Sequence, residues 1–192
     1  VRGLFHVLER CRVKAFASNG RRPKGEDGDR LDELLKGAGI PVMIWAAGSR
    51  LDLGGGFWLE CLHPGPGDQG FSSNDFSLVL RLGRGEQGLV LIPGDVQGPG
   101  IDSLLAREAR LQADVLILPH HGSKGSSSME FLESVKPDIC VISSGEYNRF
   151  GFPHDQVLRR LQVTGSRVVR IDRHGAVRFT ICGNRADVMT FH

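Results

Sequence analysis

Apolar residues recur in short blocks along the chain, and the spacing within each block separates helices from strands. Leu4, Val7 and Leu8 sit at helical spacing and predict a helix over residues 3–10. Val13 to Ala17 reads as a strand and residues 18–28 as a polar loop. Leu31, Leu34 and Leu35 mark a second helix that starts at Asp29 or Asp32 and ends near Gly37 or Gly39. Pro41 opens a strand over Val42 to Trp45. The spacing then shifts to that of strands. Phe57 to Leu62 is one, ending at His63-Pro64, and Phe76 to Leu82 with Gly88 to Pro93 read as a hairpin joined by Gly83-Arg84-Gly85-Glu86. Helices and strands alternate beyond it: helix 101–110, strand 113–118, helix 127–135, strand 138–143, helix 154–164, strand 167–171 and a last hairpin partner from Ala176 to Ile181.

Hairpins followed by alternating strands and helices predict a mixed sheet with helices outside, in the α/β or α+β class. Strand 113–118 is apolar after Asp114, so both of its faces are expected to be covered. Neither an internal repeat nor a linker divides the chain, and residues 1–192 read as one domain. With 40% hydrophobic and 24% charged residues the composition is that of a globular protein. No apolar run reaches the roughly eighteen residues of a membrane span. A formal charge of +2 gives no argument for nucleic acid by itself. Cys11, Cys61, Cys140 and Cys182 lie far apart without a C-x-x-C, which favours buried thiols over a cysteine zinc site. The opening Val1-Arg2-Gly3-Leu4 is not a signal peptide, and the chain is expected to be part of something longer.

Three segments share one layout, an apolar strand ending in a ligand-type residue beside glycine or proline. They are Leu59 to His63-Pro64, Leu89 to Pro93-Gly94-Asp95, and Val115 to Pro119-His120-His121-Gly122-Ser123. Groups at strand ends, on loops held by a rigid sheet, are a common way to build a site. A carboxylate and imidazoles converging there suit a divalent metal such as zinc or manganese. Taken singly, His63 reads more readily as a satisfied surface histidine and Gly94-Asp95 as a common turn; the three together, in this order, favour a metal site.

The strings Asn74-Asp75-Phe76-Ser77, Gly94-Asp95, Pro119-His120-His121-Gly122-Ser123 and Asn148-Arg149-Phe150-Gly151-Phe152-Pro153-His154, in this order, resemble the metallo-β-lactamase-fold domain of ComEC-type DNA-uptake competence proteins. The resemblance is strong over residues 57–182. It implies an αββα sandwich and a metal-dependent hydrolase holding two divalent ions, zinc or manganese. In that family the domain is thought to degrade the DNA strand that is not imported. It further implies His63, Asp95 and His121 as metal ligands, with Asp95 bridging, and His120 and His154 as catalytic residues near the substrate phosphate. Ser123, Lys124 and Asn148 are candidates for substrate contact. The implied setting is a soluble, extracytoplasmic domain of a bacterial inner-membrane protein, with single-stranded DNA and the membrane channel of the same polypeptide as partners.

The sequence departs from that pattern. The family's His-x-His-x-Asp-His motif is absent, and the segment Gly3 to Glu9 resembles the helix that follows it, so the domain is expected to be N-terminally truncated. Asp95, His121 and His63 are too few for two ions, so this chain alone is expected to bind metal weakly and to be inactive, with an exposed sheet edge open to pairing with another chain. Phe152 and Phe76 stand where relatives carry His and Asn. Gly122 to Ser128 reads either as a phosphate cradle or as a loop with Ser126 or Ser127 capping the next helix. Arg10 to Lys24 and Arg159 to Arg178 are basic clusters that suit a nucleic-acid backbone or solvated faces. Two alternatives stand beside the nuclease: a stand-alone phosphodiesterase, cytoplasmic in that case, and a non-catalytic DNA-binding or scaffold module.

Overall fold

The computed structural model describes residues 2–182 and 185–191. The chain separates into two compact units, residues 1–45 and 46–192.

In the first unit, α1 (Arg2–Arg10), β1 (Phe16–Ser18), α2 (Glu26–Gly37) and β2 (Val42–Ile44) follow one another. Leu31 and Leu35, one turn apart on α2, bury with Phe5 and Ile40 in a small core. The helix starts at Glu26, before the expected Asp29, because Gly28 is tolerated inside it. A Cβ there would stand 2.1 Å from the Pro23 carbonyl oxygen, so the close approach requires glycine. β1 and β2 pair in parallel.

The second unit is built on a seven-stranded mixed sheet in the order β3-β4-β5-β6-β7-β8-β9. Its strands are β3 (Arg50–Gly54), β4 (Phe57–His63), β5 (Val79–Arg84), β6 (Gln87–Ile92), β7 (Val115–Ile117), β8 (Ile139–Ile142) and β9 (Arg167–Arg170). Alternate residues of the central strands face opposite layers, as a period of two requires. Leu91, Leu116, Cys140 and Ile142 face helices α3 (Gly98–Ala106), α4 (Met129–Val135) and α5 (Asp155–Thr164). There they meet Ile101, Leu104, Phe131, Leu132, Val157 and Leu161 in the main core. Leu89, Val115, Val141 and Val169 face the other way. They are covered by Val177, Phe179 and Ile181 of β10 (Ala176–Cys182) and Val188 of β11 (Arg185–Phe191), an antiparallel pair. Both faces of β7 are therefore buried, as its apolar run predicts. A helix layer, the large sheet and a two-stranded sheet stack in that order.

Strand direction sets up the site. β4 and β6 are each antiparallel to β5, so they run parallel to one another, and β7, β8 and β9 continue in the same direction. The carboxyl ends of β4, β6, β7 and β8 thus share one edge of the sheet, where α/β sheets usually receive ligands.

Cys61 and Cys140 are buried and Cys11 is exposed; the side chain of Cys182 lies outside the described residues. Burial pushes the Cys61 thiol up to about 11 and the Cys140 thiol up to about 12, so both stay protonated and inert.

Candidate metal centre

At the shared edge, Asp95 is the third residue past β6, and His120 and His121 follow β7 in a tight turn, Pro119–Gly122. The His120 amide donates to the Gly94 carbonyl at 3.0 Å, which ties the two tips together. Beside this tie, His121 Nε2 lies 3.8 Å from Asp95 Oδ1. Two donors of one tetrahedral ion with bonds of about 2.0–2.2 Å stand roughly 3.4 Å apart, so the pair needs only a small adjustment to share an ion. Both side chains are about half exposed, at 49% and 48%.

The tautomer of His121 is fixed from behind. Its Nδ1 lies 2.5 Å from the Ser143 carbonyl oxygen, just past the end of β8. A carbonyl only accepts, so Nδ1 carries the proton and the Nε2 lone pair points toward Asp95. Anchoring one imidazole nitrogen on a backbone carbonyl is how metal-bound histidines are generally oriented. His120 is fixed in the same way. Its Nδ1 donates to Gln97 Oε1 at 2.8 Å, and Ser123 Oγ donates to the same oxygen at 3.4 Å. Sequence reasoning passes over Gln97. The readable signal is Asp95-Val96-Gln97, where fully buried Val96 turns the polar residues on either side outward together.

The histidine turn is strained. His120 (φ 46°) and His121 (φ 56°) both occupy the left-handed region, followed by Gly122 at φ 85°. Each non-glycine residue there costs about 1–2 kcal/mol. Gly122 cannot be replaced cheaply, since a Cβ would also meet the Pro153 Cβ at 2.7 Å. The Gly122 carbonyl accepts the amide of His154, the residue preceding α5, and this bond draws the third loop to the same place. The Phe152 ring then sits among the imidazoles. Its centroid is 5.7 Å from that of His120, 6.4 Å from that of His121 and 5.4 Å from that of His154. His120, His121 and His154 are thus gathered around one aromatic ring, and Asp95 lies beside His121.

The structure uses the other candidates differently. Asn148 braces its own loop. Its Nδ2 donates to the Gly145 and Phe152 carbonyls and its Oδ1 accepts the Phe152 amide, each at 2.8 Å, so the amide is engaged internally rather than offered to a substrate. Ser123, Ser126 and Ser127 are buried, with Ser126 Oγ donating to the Ser123 carbonyl. Arg160 closes this loop by donating to the Lys124 and Ser127 carbonyls. The serine donors therefore turn inward, against the cradle reading. The cap of α4 is Ser128, which accepts the Phe131 amide at 3.2 Å, not Ser126 or Ser127. Lys124 is exposed. In the basic clusters, Arg22 pairs with Asp29 and Asp32, and Arg170 with Asp172.

His63 departs from its expected role as a ligand. It ends β4 at the same edge, level with Pro93 but two strands away, a lateral distance of roughly 10 Å. Its side chain is 0% exposed. Nε2 donates to the Asp75 carbonyl at 2.7 Å, and Nδ1 accepts from Arg107 Nη2 at 3.2 Å. Phe71 stacks on the ring and Phe76 meets it edge-on. Burial pushes this imidazole below its ordinary value and keeps it neutral. Beneath it, burial would raise the Asp68 carboxyl. Donors from Arg107, the Gly65 amide and Ser103 outweigh that and hold it below the ordinary carboxylate range. With both nitrogens engaged in a closed, apolar-walled pocket, His63 is a core residue. The cause lies in Asp68, Phe71 and Arg107, none of which belongs to a strand tip.

The residues present therefore fit a divalent ion in part. Asp95 and His121 supply two oriented donors of the right type, and His63 does not join them. Among the described residues no group of three or more His, Cys, Asp or Glu is arranged to hold a metal ion.

No family model matches the chain. It is 38% identical over 108 residues to ComE operon protein 3 of Bacillus subtilis (strain 168), a match covering 56% of this chain and 14% of that protein. It is 39% identical over 107 residues to Competence protein ComA of Neisseria gonorrhoeae, covering 55% of this chain and 15% of that one. The resemblance to ComEC-type competence proteins thus holds at the level of sequence, although the match spans about a seventh of the relatives' length. Among solved structures, CmlA, a diiron β-hydroxylase from Streptomyces venezuelae, superposes with a TM-score of 0.53 at 15% identity, covering 96% of this chain and 41% of that one. That likeness concerns the fold, a mixed α/β sandwich of the metallo-β-lactamase type.

Proposed function

We propose that these residues form part of the metal site of a DNA-cleaving hydrolase, one that degrades the non-transported strand during competence DNA uptake. The observation that carries the reading is the Asp95–His121 pair. Its Nε2 and Oδ1 lie 3.8 Å apart at the carboxyl edge of the sheet, with the imidazole oriented from behind by Ser143. The similarity to competence proteins supports DNA as the substrate class.

In this reading Asp95 and His121 hold a divalent ion, zinc or manganese, and chain outside these 192 residues supplies the further ligands for a two-ion site. When bound, such ions lower the pKa of water and neutralise charge at the phosphodiester. The chain's own residues do the rest. The Ser143 carbonyl keeps the His121 proton on Nδ1. Gln97 holds the proton of His120 on Nδ1, so its Nε2 presents a lone pair toward the site. His154, whose ring meets Phe152 edge-on, would pass a proton to the leaving oxygen. The 192 residues act as one domain of a larger inner-membrane protein and work beside its channel on the extracytoplasmic side. Among the described residues, no helix is long and apolar enough to cross a membrane.

The test is hydrolysis of single-stranded DNA by the full-length protein with added manganese. Asp95→Ala is expected to lower the rate by at least about a hundredfold, because removing even a partner that merely orients a metal ligand costs about 10–100-fold. A rate within twofold of the parent's would remove Asp95 from the chemistry and end this reading.

A further inference from the structure

The loop that brings His154 to the site also carries aromatic residues toward solvent. Phe150 is 58% exposed and Tyr147 91% exposed. An exposed phenyl ring forgoes the burial that usually stabilises it, so a rigidly held one calls for a partner. Phe150 is held. Its ring stacks on that of Phe152 with centroids 5.5 Å apart and planes 19° apart. Phe152 in turn stacks on His121 with planes 27° apart. The rings form a staircase from solvent to the metal-facing imidazole, with near-parallel planes at each step.

Two further features suit this staircase to a nucleic-acid strand. The Asn148 side chain closes three hydrogen bonds across the loop, so the backbone that carries Phe152 is braced before anything binds. The Arg149 guanidinium lies 4.9 Å from the Phe150 centroid. A flat cation already occupies a ring face there. A base entering that place would release the guanidinium to the adjoining phosphate, exchanging a cation–π contact for stacking plus an ion pair.

We propose that Phe150, resting on Phe152 and flanked by Arg149, is a base-stacking step that seats one nucleotide of single-stranded DNA beside the Asp95–His121 pair. This rests on the nuclease reading for its choice of substrate, but it is a binding claim and needs no metal. The residue that replaces histidine in relatives, Phe152, acquires a purpose here as the lower tread.

The experiment is a fluorescence-anisotropy titration of labelled oligo-dT with the 192-residue chain in chelator, where no hydrolysis occurs. Phe150→Ala is expected to weaken binding between about 5-fold and 150-fold, the range for loss of one base–aromatic stack. Phe150→Trp is expected to retain affinity, and oligo-dT should quench the fluorescence of the introduced indole. An oligomer of abasic deoxyribose phosphates, with equal charge, is expected to bind the parent and Phe150→Ala chains alike. The proposal is overturned if the parent does not bind oligo-dT, if Phe150→Ala binds as the parent does, or if the abasic oligomer discriminates between them equally well. Melting curves of each variant separate lost stacking from lost folding. Failure here leaves the Asp95→Ala hydrolysis test standing, and failure of that test leaves the titration standing.

Discussion

His63 at the end of β4 and His121 just beyond β7 leave the same edge of one sheet, yet one ring is sealed and the other is half exposed. The difference lies in the loop that leaves each strand. After His63 the chain folds back through Asp68, Phe71 and Phe76, and Arg107 closes the remaining side, so every polar atom of the imidazole is satisfied by the protein. After β7 the chain turns left-handed at once. Only one nitrogen of each imidazole is satisfied from behind, leaving Nε2 of His121 toward Asp95. A histidine at a strand tip becomes structural or chemical according to whether its second nitrogen is left for a ligand.

The contrast can be broken from either side. The largest effect is expected at the open tip. His121→Ala should lower metal-dependent DNA cleavage by the full-length protein at least about a hundredfold. Its melting temperature should fall by less than about 5 °C, since a half-exposed side chain contributes little and an alanine in the left-handed region costs about 1 kcal/mol. A large loss of stability would place His121 with His63. At the closed tip the effect should reverse. Arg107→Met leaves the Asp68 carboxylate buried without its guanidinium, and urea unfolding should report a loss of about 3 kcal/mol. A loss below about 1 kcal/mol would mean that the pocket is not held by that pair. Gly122→Ala attacks the backbone that separates the two cases. Left-handed strain plus the contact with Pro153 should cost about 2 kcal/mol by the same measurement. An unchanged midpoint would show that the turn relaxes freely.

The smallest effect is in acid. The His63 pKa is lowered from 6.5, so the unfolded chain takes up a proton that the folded chain refuses. Its contribution to stability is complete above about pH 6.5 and is lost as pH falls toward the lowered value. Asp68, lowered from 3.8, adds a second loss below about pH 3.8. Melting temperature plotted against pH should bend at the first point in the parent and not in His63→Gln, whose amide cannot titrate.

Much of this was legible in the chain. Apolar spacing located α4, α5 and the strands β4 to β9, because their apolar residues are buried on one or both faces; α1 forms where expected, but Phe5 is its buried residue while Leu4 and Val7 are exposed. β3 escaped because all five of its residues are exposed, so no buried face imposes a pattern. α3 begins at Gly98, earlier than expected, because Pro99 suits a first turn even beside glycines. At the site, Asp95 and His121 were legible because each lies within four residues of the end of a buried strand. The burial of His63 was not, since it depends on Arg107, 44 residues away. Nor was the inward turn of the Asn148 amide, which answers backbone groups that only the folded loop brings near.

The left-handed turn at the open tip also filters what can ever stand there. Positions 120 and 121 admit histidine, asparagine, aspartate and glycine most readily, and β-branched residues hardly at all. A randomised library selected for any new activity at this edge should therefore return that short alphabet at both positions before chemistry has chosen among its members. The backbone offers imidazole, amide or carboxylate, and metal preference would be retuned by exchanging one for another, with the loop left as it is.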